Sequence, residues 1–111
     1  MVALQSKLMR IRDALASVEG LEVYHYWKPH MNAPYCVWQE ESTEAVWTSN
    51  HVGEFTVSGS IDYFTKIEFD SMVDTIQESL NSIECLGWNL EAVQYEDQTN
   101  LIHYTWRFNI G

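Results

Sequence analysis

Residues 55–80 constrain the fold more than any other stretch. Phe55, Val57, Ile61 and Tyr63 alternate with Thr56, Ser58, Ser60 and Asp62. That is the period of a strand with one buried face. Thr65 and Glu68 then have capping-box spacing, and Phe64 and Phe69 sit where a hydrophobic staple would fix the entry into a helix. Phe69, Met72, Val73, Ile76 and Leu80 fall on one helical face. The pattern predicts a strand turning tightly into a helix, over Lys66 to about Ser82, that lies back on the sheet.

The flanking segments extend this unit. Leu4, Leu8, Ile11, Leu15 and Val18 make a second helical stripe, and Gly20 can close that helix. Leu21–Trp27 and Tyr35–Glu41 read as strands, separated by a loop over Lys28–Pro34 with two prolines. Ser42–Gly53 is polar apart from Ala45, Val46, Trp47 and Val52 and has no clear period, so a flexible excursion is expected. Trp88–Tyr95 and Leu101–Ile110 read as strands joined by the polar turn Glu96–Asn100, a hairpin. In the last strand Ile102, Tyr104, Trp106, Phe108 and Ile110 share one face, and His103, Thr105, Arg107 and Asn109 the other. The order is α-β-β-β-α-β-β. The fold class expected is α+β, a mostly antiparallel sheet with two helices on one face. At 111 residues the chain reads as one domain spanning 1–111.

Charge narrows the function. Sixteen acids against six bases give a net charge of -10, and three of the bases, Lys7, Arg10 and Arg12, lie in the first helix. Binding nucleic acid through its phosphates needs clustered Lys and Arg, so specific nucleic-acid binding is not expected. An acidic surface suits solubility, a basic partner, or a conduit that DNA passes without sticking. Cys36 and Cys85 sit among apolar neighbours outside any C-x-x-C pair, and read as buried free thiols in a reducing compartment. Met1–Arg10 has no long apolar run, so no signal peptide is expected, and no window approaches the ~20 apolar residues of a membrane span.

No arrangement of residues announces catalysis. His25, His30, His51 and His103 match no zinc spacing, and no metal or cofactor is expected. Glu40, Glu41 and Asp62 could act as paired carboxylates, but no serine elbow, phosphate loop or positioned histidine accompanies them. Asp62 reads as a strand-end residue and Glu40–Glu41 as the end of a solvated strand. Five Trp and six Tyr exceed what so small a core readily buries, so some are expected at a partner surface. Trp47 is the aromatic least explained by a core. Either it anchors a contact with a partner or it folds back as a lid on the sheet edge. With Val46 and His51 it forms the candidate interface set.

The whole pattern resembles one family. A helix leads to a strand carrying Val23-Tyr24, then to the proline-led strand Pro34-Tyr35-Cys36-Val37-Trp38. A polar excursion follows, then a strand ending in Ile61-Asp62-Tyr63-Phe64, a long amphipathic helix, and a closing hairpin ending in Ile102-His103-Tyr104-Thr105-Trp106-Arg107-Phe108. This is similar to the tail completion or tail terminator proteins of long-tailed bacteriophages. The resemblance implies a structural protein without enzymatic activity, found in the host cytoplasm during assembly and then in the virion tail. It implies a ring, a hexamer in this family, that caps the head-proximal end of the tail tube. Its partners would be further copies of itself, the major tail protein and the head-connector proteins. Two other readings stand beside it: another head–tail junction or minor tail protein, and a small acidic ligand-binding or DNA-mimicking domain. A small α+β enzyme or ligand-binding domain would use the open face of the sheet, with Asp62 and His103 in its pocket.

Overall fold

A computed structural model describes residues 3–27, 32–47 and 52–111, with the backbone alone at 46–47 and 52–54. The elements are α1 (Leu4–Ala16), β1 (Val23–His25), β2 (Tyr35–Trp47), β3 (Val52–Thr65), α2 (Met72–Asn81), β4 (Leu86–Glu96) and β5 (Leu101–Ile110). The five strands form one sheet in the order β1-β2-β3-β5-β4. β2–β3, β3–β5 and β5–β4 are antiparallel, and only the short β1 runs parallel to β2. The α+β class, the element order and the single-sided helix layer expected from the pattern are those found. Among the described residues no helix is long and apolar enough to cross a membrane.

The strand alternation decides which face the helices cover. Cys36 and Trp38 of β2, Val57, Ile61 and Tyr63 of β3, and Trp106, Phe108 and Ile110 of β5 are buried together with Leu8, Ile11 and Leu15 of α1 and Ile76 and Leu80 of α2. The helices also meet each other, where Ser79 Oγ donates to the Ala14 carbonyl at 3.0 Å. Trp106, fully buried, donates its indole N–H to Gln77 Oε1 at 3.1 Å. α1 ends at Ala16 with Ser17 as its C-cap, so Gly20, at φ +82, turns the chain three residues beyond the cap rather than closing the helix as expected.

Three local expectations are corrected. The second helix begins at Met72, not at Lys66. Thr65 stays in β3, where its hydroxyl donates to Asp70 Oδ2 and accepts the Ile67 N–H. Asp70 Oδ1 accepts the Met72 N–H instead, a carboxylate at the positive end of the helix dipole. Phe69 forms no staple: it lies in the left-handed region at φ +58 and is 92% exposed.

The expected excursion over Ser42–Gly53 is largely sheet. β2 continues to Trp47 and pairs with β3 as far as Trp47↔Val52, with irregularities at Glu40/Ser42 and Val46/Trp47. A bulge adds a residue and shifts the alternation, which erases the period a sequence window looks for. Pairing of β3 with β5 stops at Val57↔Ile110, so residues 44–47 and 52–56 form a two-stranded arm beyond the sheet. Opposite the first bulge sits Gly59, where an added Cβ would lie 2.1 Å from the Gln39 carbonyl oxygen and 2.6 Å from Phe108 Cζ.

The strand expected over Leu21–Trp27 shrinks to three residues because Tyr26, at φ +75, turns the chain away. Cys36 is buried, as expected, and its burial pushes the thiol pKa far up. Cys85 is exposed, contrary to expectation, because it lies at φ +63 in the turn before β4.

Candidate functional site

The face of the sheet opposite the helices carries the site. Register places Tyr35, Phe64 and His103 side by side across β2, β3 and β5. Their rings form a continuous strip, with centroids 4.8 Å apart for Tyr35–Phe64 and 4.1 Å for Phe64–His103. The adjacent row holds Val37, Asp62 and Thr105. Tyr26 and Trp27, delivered by the turn after β1, close one side of a cavity of about 330 Å3 over the strip.

Asp62 is the polar centre of this cavity. His103 Nε2 donates to Asp62 Oδ1 at 2.7 Å, and the Thr105 hydroxyl donates to the same oxygen at 2.9 Å. Glu96 Oε1 lies 3.7 Å from the other ring nitrogen of His103. Burial, and next the charge of Glu96, raise the Tyr35 pKa above its ordinary value. Asp62 sits within β3 rather than at its end.

This set lacks the geometry of a nucleophilic triad. In a nucleophilic triad the imidazole bonds its carboxylate through one nitrogen and the hydroxyl through the other. Here Asp62 and the Thr105 oxygen, 3.2 Å away, approach the same Nε2. The proton on that nitrogen is committed to Asp62, so His103 cannot relay it from Thr105. The stacked rings cover one another's faces, so the cavity offers ring edges beside the acceptor Asp62.

A second polar group lies at the sheet edge. His25 Nε2 bonds Glu40 Oε1 at 2.7 Å, the Tyr26 hydroxyl bonds Glu40 Oε2, and the His25 ring stacks between Tyr26 and Trp38. Burial would push the Glu40 carboxyl up, but the bonds from Tyr26 and His25 hold it below its ordinary range. Glu41 faces the open side and pairs with Arg107. Neither glutamate ends a strand, since β2 runs on to Trp47.

Of the candidate interface residues, Val46 and Trp47 lie at the far end of β2, in the arm, and His51 lies outside the described residues, as does His30. Sequence reasoning brought Asp62 and His103 to one pocket, as found. It missed Tyr35, Phe64, Tyr26 and Trp27. Tyr35 and Phe64 were legible in principle, since each alternates out of phase with the residues of its own strand that pack under the helices. Among the described residues no group of three or more His, Cys, Asp or Glu could hold a metal ion.

A second surface lies near the end of β4. Leu90, Val93 and Tyr95 of β4 are exposed, as are Ile67 and Phe69 in the turn before α2. Val93, Tyr95 and Ile102 line a groove of about 560 Å3 with Lys66 and Glu68 on its rim. The turn is rigidly held: Tyr63 and Thr65 donate to Asp70 Oδ2, both at 2.7 Å.

No family model matches the chain, and no curated protein matches it in sequence.

Proposed function

We propose that this chain is a self-assembling structural protein of a phage tail, a tail terminator whose copies close into a ring at the head-proximal end of the tube. The observation that carries the reading is the outer edge of β4. β4 has eleven residues, and among the described residues no strand lies beyond it. It exposes Leu90, Val93 and Tyr95 beside Ile67 and Phe69. A long apolar edge strand left open invites pairing, and natural proteins usually cover or blunt such edges. On the other side of the sheet, β1 pairs with Cys36–Trp38, and among the described residues the rest of β2 is also an edge. Two different open edges favour head-to-tail contact between copies, the geometry that closes into rings.

Charge supports a passage for DNA through such a ring. Lys7 is buried over the Phe55 ring, Arg10 donates to the Glu84 and Gly111 carbonyls, and Arg12 and Arg107 pair with acids. These bases are engaged within the chain, while the net charge is -10. Acids facing a lumen would keep phosphates from adhering. Repulsion between copies makes closure salt-sensitive, with higher salt favouring the ring.

The test adds the protein to polymerising tail-tube protein and measures tube length by electron microscopy. Tubes of limited length, with density at one end, are expected. A V93K variant should leave the tubes unrestrained while melting like the parent chain. Tubes that outgrow their normal length with no protein bound at their ends would remove the terminator reading.

A further inference from the structure

We propose that the two-stranded arm of one copy docks, head to tail, in the apolar groove beside the end of β4 in the next copy. The inference rests on the self-assembly reading above and names its contact.

Three observations carry it. The first is that the arm has no neighbouring strand in its own sheet. Beyond Val57↔Ile110, residues 44–47 and 52–56 pair with each other alone among the described residues. Ser42, Thr43, Glu44 and Ala45 are exposed. A two-stranded ribbon by itself is marginally stable in water. The pairing brings Val46, Trp47 and Val52 to the far end of the arm, and no lysine or arginine occurs between Glu41 and Phe55. The base of the arm is held, since Phe55 packs against the core and Lys7 Nζ lies 4.9 Å from the centre of its ring.

The second is that the helix layer stops short of the groove. Gln77 and Asn81 of α2 accept the indole N–H groups of Trp106 and Trp88. Past those contacts Val93 and Tyr95 face the helix side opposite Tyr104 and Ile102 and remain exposed. The acids of β4 turn the other way: Glu91 lies 3.9 Å from Arg107 and Glu96 3.7 Å from His103, both on the open face. Lys66 and Glu68 on the rim offset each other. In a chain of net charge -10, an arm carrying Glu44 and Glu54 meets less repulsion at this locally balanced groove than over the acidic surface at large.

The third is placement. Val57 marks the base of the arm, and Thr65 pairs with Ile102 of the groove, eight residues along the same strand. At the rise of a strand they stand about 26 Å apart, and the arm points away from the groove. It cannot reach the groove of its own chain. Two complementary surfaces at opposite ends of one chain make a heterologous contact, which repeats from copy to copy and closes where the rotation allows.

The experiment follows sedimentation equilibrium of the full chain, of W47A and V93K, and of the two variants mixed, with the melting temperature of each recorded. The parent chain should self-associate. Each variant should melt like the parent and associate about tenfold or more weakly, as for the anchor of an interface. A45K, at an exposed position, repeats the arm test independently of Trp47. An equimolar mixture of W47A and V93K should regain a one-to-one complex, because the intact arm of V93K fits the intact groove of W47A. Grooves pairing with grooves, or arms with arms, cannot give that complementation. A parent chain still monomeric at about 1 mM, parent-like association of W47A and A45K, or a mixture no tighter than its components would overturn the proposal. Complementation by a chain that leaves tail tubes unrestrained would uphold this contact and remove the terminator role alone.

Discussion

His103 donates to Asp62 across the β3–β5 pair while its ring lies flat on Phe64, two residues further along the same strand as Asp62. The two contacts fix the imidazole in position and orientation. Asp62 also holds Thr105, so a single carboxylate oxygen organises one row of the open face. D62A would leave both donors without that acceptor. A loss of about 1 kcal/mol is expected, because the site is partly open and water can replace some of the bonding. Urea unfolding of D62A and D62N measures it, and D62N should lose less.

Asp70 makes stability depend on acid. Burial alone would raise its carboxyl pKa, but hydrogen bonds from Tyr63, the Met72 amide and Thr65 together hold it below the ordinary aspartate value. A carboxyl depressed on folding stabilises the native state at neutral pH. That contribution is lost as pH falls through the ordinary carboxylate range and on through the depressed folded value. D70N should therefore be less stable at pH 7 and should show a flatter decline between pH 5 and pH 2. Parallel pH–stability curves for the two proteins would count against this role.

Ile76 is fully buried on the face of α2 that meets the sheet. I76D places a carboxylate among apolar neighbours and should cost about 4 kcal/mol. Thermal melting monitored by circular dichroism decides the point. A melt like that of the parent chain would mean that this face of α2 does not pack on the sheet.

Gly59 has no room for a methyl group. Its Cβ would meet the Gln39 backbone as well as the Phe108 ring, and backbone cannot swing aside as a flexible side-chain end can. G59A should cost about 3 kcal/mol, at the upper end of overpacking in a close-fitted core. Equilibrium unfolding gives the value.

Phe69 separates stability from association. An aromatic residue at φ +58 with almost all its surface in water adds strain without burial. F69G should leave stability unchanged or raise it by up to about 1 kcal/mol, because glycine adopts that conformation freely. Association should weaken if this turn docks against a neighbouring copy. Sedimentation velocity across a concentration series, together with melting, reads both quantities. Unaltered assembly would place the interface elsewhere on the sheet.

Much of the fold is a local property and was written in the chain. Period two along β5 sets Trp106, Phe108 and Ile110 inward and His103, Thr105 and Arg107 outward, because successive side chains of any strand leave on opposite faces. The stripes of α1 and α2 required a partner sheet for the same kind of reason. Three things were decided only by tertiary packing. The start of α2 moved to Met72 because Asp70, held by Tyr63 and Thr65, captures the helix N-terminus, and that competition cannot be weighed from residue spacing. Residues 42–47 became strand although their alternation is broken, because β3 supplies the backbone partners that a bulged segment cannot find alone. The aromatic strip required the register Tyr35↔Phe64↔His103, which aligns residues far apart in the chain. Sequence can assign each of those residues to a face, but which of them become neighbours is fixed only when the strands pair.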